Sequence, residues 1–121
     1  LSDGGDFQRR ALPLLSLAAG FDAGAWSWQP FREGIEQVPL HEATPSGLRA
    51  ALLRYAAGAR VPAHEHVGYE YILVLEGAQE DERGCYPAGT LLVNPPGSRH
   101  AVRSAGGCVV LAIWERPVRF V

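Results

Sequence analysis

Glycine and proline punctuate this chain so densely that long helices have little room. The 121 residues include 14 Gly and 9 Pro. Beyond residue 25, short apolar or alternating runs recur at Gly34–Leu40, Leu48–Tyr55, Tyr69–Leu75, Leu91–Asn94, Ala101–Arg103 and Cys108–Trp114. Between them stand Pro45-Ser46-Gly47, Ala57-Gly58, Glu76-Gly77, Arg83-Gly84, Pro87-Ala88-Gly89, Pro95-Pro96-Gly97 and Ala105-Gly106-Gly107. Strands and turns alternating at this tempo predict an all-β sandwich or barrel. The length suits a single domain that buries a core without staples. Residues 1–25 read as a peripheral N-terminal arm and residues 26–121 as the domain.

Charge excludes some functions. The formal net charge is −2, Lys is absent and no run of basic residues occurs, so no nucleic-acid partner is expected. Arg9-Arg10 followed by Ala11–Gly20 looks a little like a secretory signal, but Pro13 interrupts it and Asp3 and Asp6 precede it. The segment is also short of the roughly 20 apolar residues of a membrane span, so no membrane partner is expected. Its leucines read better as packing onto the domain or a partner subunit. The chain starts at Leu1 and contains no Met, as expected of a processed or excised segment. Cys85 and Cys108 are too few and too far apart for a zinc ribbon or a disulfide scaffold. They read as two buried free thiols in a reducing cytoplasm, with a single bond between them left open.

Three of the four histidines fall into two short segments. In the first, Gly58 to Gly77, His64 and His66 have the same strand parity and lie roughly 6.6 Å apart at Cα, which suits two imidazoles on one ion. Glu70 has matching parity but would lie roughly 13 Å beyond His66 on a straight strand. Val67-Gly68-Tyr69 is therefore expected to turn, with Gly68 at a positive φ. In the second segment, Gly89 to His100, Pro96-Gly97 suits the centre of a type II turn that returns His100 to the next strand. A carboxylate aimed into an apolar barrel is costly without a cation. The set therefore predicts one divalent metal ion held by His64, His66, Glu70 and His100. His41 reads as an ordinary surface or core residue. Tyr69, Tyr71, Trp114 and Arg54 are weaker candidates to line the barrel, and Asp81–Gly84 reads as a hairpin turn with solvated charges.

These two segments resemble the paired motifs of the cupin superfamily, G(X)5HXH(X)3-4E(X)6G and G(X)5PXG(X)2H(X)3N. The first is matched in full from Gly58 to Gly77, the second from Gly89 to His100 with Ser104 in place of the final Asn. The resemblance implies a double-stranded β-helix, the cupin jelly-roll barrel, with the metal inside. A narrower resemblance, over Trp28–Ile35, Leu53–Gly58, His64–Gly77, Asp81–Gly84, Asn94–His100 and Ser104–Cys108, is to the cupin domain of ChrR-type anti-sigma factors. That domain binds zinc and takes part in sensing oxidative stress. Those proteins grip the sigma factor through an N-terminal zinc-binding domain. Residues 1–25 contain no Cys or His, so that domain is not expected here and sigma-factor binding is doubtful. Cupins of this size pair, which implies a homodimer with the arm around Leu12–Leu17 at its interface.

Two functions follow from the sequence: a ChrR-like sensor or ligand-binding module, or a metal-dependent dioxygenase acting on a small aromatic or diketone substrate. Zinc leads as the ion, with iron, manganese and nickel compatible with the same ligand types.

Overall fold

The computed structural model describes residues 9–16, 20–42 and 44–121. Residues 1–8, with Asp3 and Asp6, and Leu17-Ala18-Ala19 of the signal-like stretch lie outside the described residues. The described chain is all-β apart from one 3-10 turn at Ala23–Ala25. A small hairpin, β1 (Leu15–Ser16) with β2 (Gly20–Phe21), precedes the main sheet. The main strands are β3 (Gln29–Arg32), β4 (Ile35–Glu42), β5 (Arg49–Tyr55), β6 (Ala59–Glu65), β7 (Glu70–Asp81), β8 (Gly84–Pro87), β9 (Leu91–Asn94), β10 (Arg99–Ser104), β11 (Cys108–Trp114) and β12 (Arg119–Phe120). They form one curled antiparallel sheet in the order β12-β6-β10-β7-β11-β5-β4-β3, with β8 and β9 also paired to β7. Among the described residues no helix is long and apolar enough to cross a membrane.

The predicted barrel is present, and two of its strands, β9 and β11, coincide with the apolar runs that predicted them. The largest departure is β7. Glu76-Gly77 was expected to be a turn, yet the strand continues to Asp81. Up to Gly77 it pairs with β9 and β11; from Ala78 to Asp81 it pairs with β8 and, at Glu80, with β10. Gly77 therefore marks the corner where one strand passes from one half of the barrel to the other. Its φ of 72° favours glycine, and a Cβ there would lie 2.2 Å from the Gly107 carbonyl oxygen.

Period-two alternation divides the apolar residues between two faces. Leu53, Tyr55, Ile72, Val74, Val110 and Trp114 point into the barrel. Leu40, Leu52, Leu75 and Val109 point outward, where Phe21 and Leu14 of the arm, with Trp28, cover them. This explains the unbroken apolar run of β5, since Ala51, Leu52 and Leu53 are all buried. Leu12 and Leu15, by contrast, stay exposed.

Candidate metal centre

Three local devices aim the histidines. Strand β6 is out of phase with itself: Ala59 and Val61 pack inward, and so does His64. A register shift against β10, between the pairs His100–His64 and Val102–Val61, accounts for the change of parity. Pro62, which cannot donate to the ladder, sits within it. The second device is the Pro95–Ser98 turn. Gly97 has a φ of 88° and the Ser98 amide donates to the Pro95 carbonyl at 3.1 Å, as the type II expectation requires. The third is the bend at Val67-Gly68-Tyr69, with a correction: Gly68 does not have a positive φ. Glycine is favoured there by close approach, since a Cβ would lie 2.9 Å from Glu115 Oε1 and 3.0 Å from its Cβ, and the Glu115 side chain would have to shift. Glu115 in turn accepts from the Tyr69 amide at 2.9 Å.

The result brings His64, His66 and His100 together, with one ring nitrogen from each lying within 4.8 Å of the others. The ring centroids are 4.7–5.1 Å apart. All three rings are buried. Each Nδ1 faces a fixed oxygen: the Pro62 carbonyl at 2.8 Å for His64, the Ser98 carbonyl at 3.1 Å for His66, and Asp81 Oδ2 at 3.0 Å for His100. Ser98 Oγ, also near His66 Nδ1 at 2.9 Å, donates its own proton to Pro95 at 2.6 Å. The network thus assigns the proton to Nδ1 in His64 and His100 and leaves their Nε2 atoms as lone pairs, whereas His66 faces an acceptor at each nitrogen.

Those lone pairs test whether a cation fits. His100 Nε2 is the one buried side-chain nitrogen or oxygen without a hydrogen-bond partner among the described residues. His66 Nε2 lies 3.0 Å from Glu70 Oε1, which also accepts from Asn94 Nδ2 at 3.0 Å. With a proton on Nε2 that contact is a hydrogen bond to the carboxylate; with the proton removed, the same nitrogen and oxygen are placed to share a cation. The residues present therefore fit a metal ion. Burial pushes the Glu70 carboxyl upward, but the hydrogen bond to His66 and the imidazoles around it outweigh burial and hold it below its ordinary value. Burial lowers the His64 pKa, a shift that the Pro62 hydrogen bond opposes. Both influences keep the ligand forms, carboxylate and neutral imidazole, in place.

Sequence reasoning missed three supporting groups. Asp81 was placed in a solvated turn, yet its side chain is only 8% exposed and it holds His100. Burial raises its pKa, and the hydrogen bonds it accepts from His100 and from the Arg83 amide more than reverse that. Asn94 and Ser98 complete the set. No local pattern marks these residues; they reach the site because β7 runs past Gly77 and because β9 ends opposite Glu70. Other expectations also need correcting. Trp114 does line the interior, but Tyr69 and Tyr71 stack on each other on the outer face, 6.2 Å apart, and Arg54 lies over Trp28 at 4.5 Å. Cys85 is exposed rather than buried, because Gly84 and Tyr86 take the inward parity of β8. Cys108 is buried and neither thiol is in a disulfide. His41 is exposed and apart from the cluster. Ser104, in place of the motif's Asn, is buried and donates to the Ala78 carbonyl at 2.6 Å, a contact that ties β10 to β7.

Beside the imidazoles lies a cavity of about 240 Å³. Ile35, Leu53, Ile72, Val102 and Trp114 form its apolar walls, and His64, His100 and Glu70 reach it from one side.

Comparison with known proteins places this geometry. Residues 18–118 match the family described as the ChrR Cupin-like domain. The chain is 34% identical over 97 residues to the anti-sigma-E factor ChrR of Cereibacter sphaeroides, covering 77% of this chain and 44% of that protein. It thus spans less than half the length of that curated relative. It superposes on the crystal structure of Rhodobacter sphaeroides SigE in complex with the anti-sigma ChrR with a TM-score of 0.68 at 28% identity, covering 77% of this chain and 51% of the other. The doubt about sigma factors therefore finds no support in the relatives. An acetylacetone dioxygenase from Acinetobacter johnsonii shares the fold, with a TM-score of 0.73 at 17% identity over 96% of this chain and 84% of the other.

Proposed function

The chain belongs to the family of ChrR Cupin-like domains, and on that footing we propose that it is a sensor or ligand-binding module built around one divalent ion, with His64, His66, His100 and Glu70 as ligands. The observation that carries the reading is the convergence of three imidazoles, all fixed through Nδ1, around a buried Nε2 with no other partner. Zinc is assigned first because imidazole and carboxylate suit it and the family resemblance implies it. When bound, such an ion acts as a Lewis acid toward an oxygen donor in the cavity. The chain's own residues hold and orient: Asp81 fixes the His100 ring, Ser98 fixes His66, and Asn94 fixes the carboxylate of Glu70. Elemental analysis of protein purified without chelator or added metal, with titration of the metal-free form, tests the reading. About one ion per chain is expected; a clean preparation that takes up none of zinc, iron, manganese or nickel overturns it.

The oxygenase alternative has one observation in its favour, the cavity that reaches the imidazoles. Oxygen uptake with a consumed aromatic or diketone compound would select it, and saturable binding without turnover selects the module. For a macromolecular partner we propose a sigma factor, since the ChrR relative was solved in complex with SigE; co-purification with the sigma factors of the same cell tests this. We further propose a domain at residues 26–121 with an arm at 1–25, a cytoplasmic setting and a homodimer. Exposed Tyr69, Tyr71, Leu91 and Val93 on the outer face support the dimer; light scattering showing a monomer at high micromolar concentration rejects it.

A further inference from the structure

We propose that the cavity beside the imidazoles takes a small carboxylate with an apolar body, the carboxylate held by Arg32 at the rim and the body lying toward the histidines. This deepens the reading above by naming the ligand class of the same site.

Two arginines line the cavity, Arg32 and Arg49. Arg49 is already engaged: its guanidinium meets Glu42 at 3.4 Å, bonds Gln37, and lies over the Trp114 ring at 4.8 Å. Arg32 has neither an acidic nor a hydrogen-bond partner among the described residues. It stands at the end of β3, half-buried, with its guanidinium carbon 4.6 Å from the centre of the Phe120 ring. A half-buried guanidinium without an anion is a donor fork open to an acceptor, and carboxylate matches that fork.

Its position relative to the metal centre is set by Phe120. The same ring that carries Arg32 on one contact packs against His64, with ring centroids 5.9 Å apart. A single aromatic ring therefore separates the free guanidinium from a metal-facing imidazole. Burial pushes the Tyr55 hydroxyl well above its usual pKa, and the charge of Arg32 is among the influences pulling it back, so that charge is felt within the cavity. Arg32 also borders a shallow outer groove with Glu33 and Arg60, which puts it at the rim rather than at the floor.

The walls decide what joins the two ends. The lining is mostly apolar, with Ile35, Leu53, Val61, Ile72, Val102 and Trp114 against the polar groups of Tyr55 and Gln79. Phosphates and polyols would leave most of their polar atoms unpaired against such walls. A cavity of about 240 Å³ suits a small organic molecule. An aryl-acetate or a branched short-chain acid satisfies charge, polarity and size together.

The test uses calorimetric titration of the full chain, both metal-free and zinc-loaded, with phenylacetate and 4-methylpentanoate against their neutral amides. Saturable binding of both acids is expected, at least about tenfold tighter than the amides. Arg32→Met is expected to bring the acids down to the level of the amides, with amide binding changed far less than acid binding, and Arg32→Lys to restore part of the difference. Equal affinity for acid and amide in the wild-type protein overturns the proposal, as does undiminished acid binding by folded Arg32→Met, or no acid binding at all. The wild-type comparison stands even if Arg32→Met does not fold. Elemental analysis of the same samples separates the two readings: acid preference without metal uptake defeats only the metal centre, and metal uptake without acid preference defeats only this proposal.

Discussion

Asp81 Oδ2 accepts the Nδ1 proton of His100 at 3.0 Å, joining a hairpin on one side of the barrel to the imidazole whose Nε2 has no partner among the described residues. A carboxylate behind a metal-facing histidine fixes the ring and raises its basicity. Asp81→Asn is therefore expected to weaken metal affinity about 10- to 100-fold while preserving the fold. Competition with a chelator of known affinity measures it, with circular dichroism as the control for folding; an unchanged affinity would show that Asp81 does not orient a ligand.

Acid should act on affinity and stability in the same direction. Burial depresses His64, so the folded state favours its neutral form. A histidine whose folded pKa lies below its unfolded value contributes stability above that unfolded value, about 6.5, and loses it as pH falls through the folded one. Glu70 and Asp81 are held below their ordinary values, so they remain ionised through that window and their contribution is lost only at lower pH. Metal affinity measured from pH 8 to 5 is expected to fall steeply below about 6.5 as protons compete for the imidazoles. A flat profile would count against histidine ligation.

At the barrel corner, Gly77→Ala combines a positive φ with a Cβ 2.2 Å from the Gly107 carbonyl oxygen. Backbone atoms on both sides leave little freedom to relax, and a loss of more than about 2 kcal/mol is expected. Urea denaturation would read it. Gly89→Ala is the comparison: its φ is also positive, but nothing lies within 4 Å of its Cβ position, so a smaller loss is expected.

The two cysteines should part company in alkylation. Burial raises the Cys108 pKa, with a Ser104 hydrogen bond opposing it, so its thiol stays protonated and covered. Cys85 is exposed on β8. Mass spectrometry after brief iodoacetamide treatment is expected to show one modified site in the native protein and two in denaturant. Cys85→Ser and Cys108→Ser are both expected to retain the metal, whereas His100→Ala loses it.

Much of this molecule was legible from residue order alone. Strands β9 and β11 are bounded by Gly and Pro on apolar runs, so turn chemistry and hydrophobicity agree at their ends. The convergence of His64, His66 and His100 followed from parity and from the Pro96-Gly97 turn. What escaped was non-local. Gly77 looks like turn punctuation, and only the carbonyl of Gly107, thirty residues on, shows why a strand needs glycine there. Gly68 was read as a conformational requirement when the constraint is the Glu115 side chain packed against it. Asp81 carries no mark of its role, because its partner His100 lies on a strand whose register against β6 shifts at an unforeseen bulge.

Strand β7 carries Glu70 near one end and Asp81 at the other, with Gly77 between them. A proposed ligand and the group that orients a different proposed ligand are thus fixed to the same unbroken backbone. Neither half of the barrel can then breathe without tugging on the other's share of the centre. Amide hydrogens of β6, β10 and β7 should accordingly exchange as one cooperative unit, and an ion seated among them should slow all three together rather than protecting only its immediate neighbours.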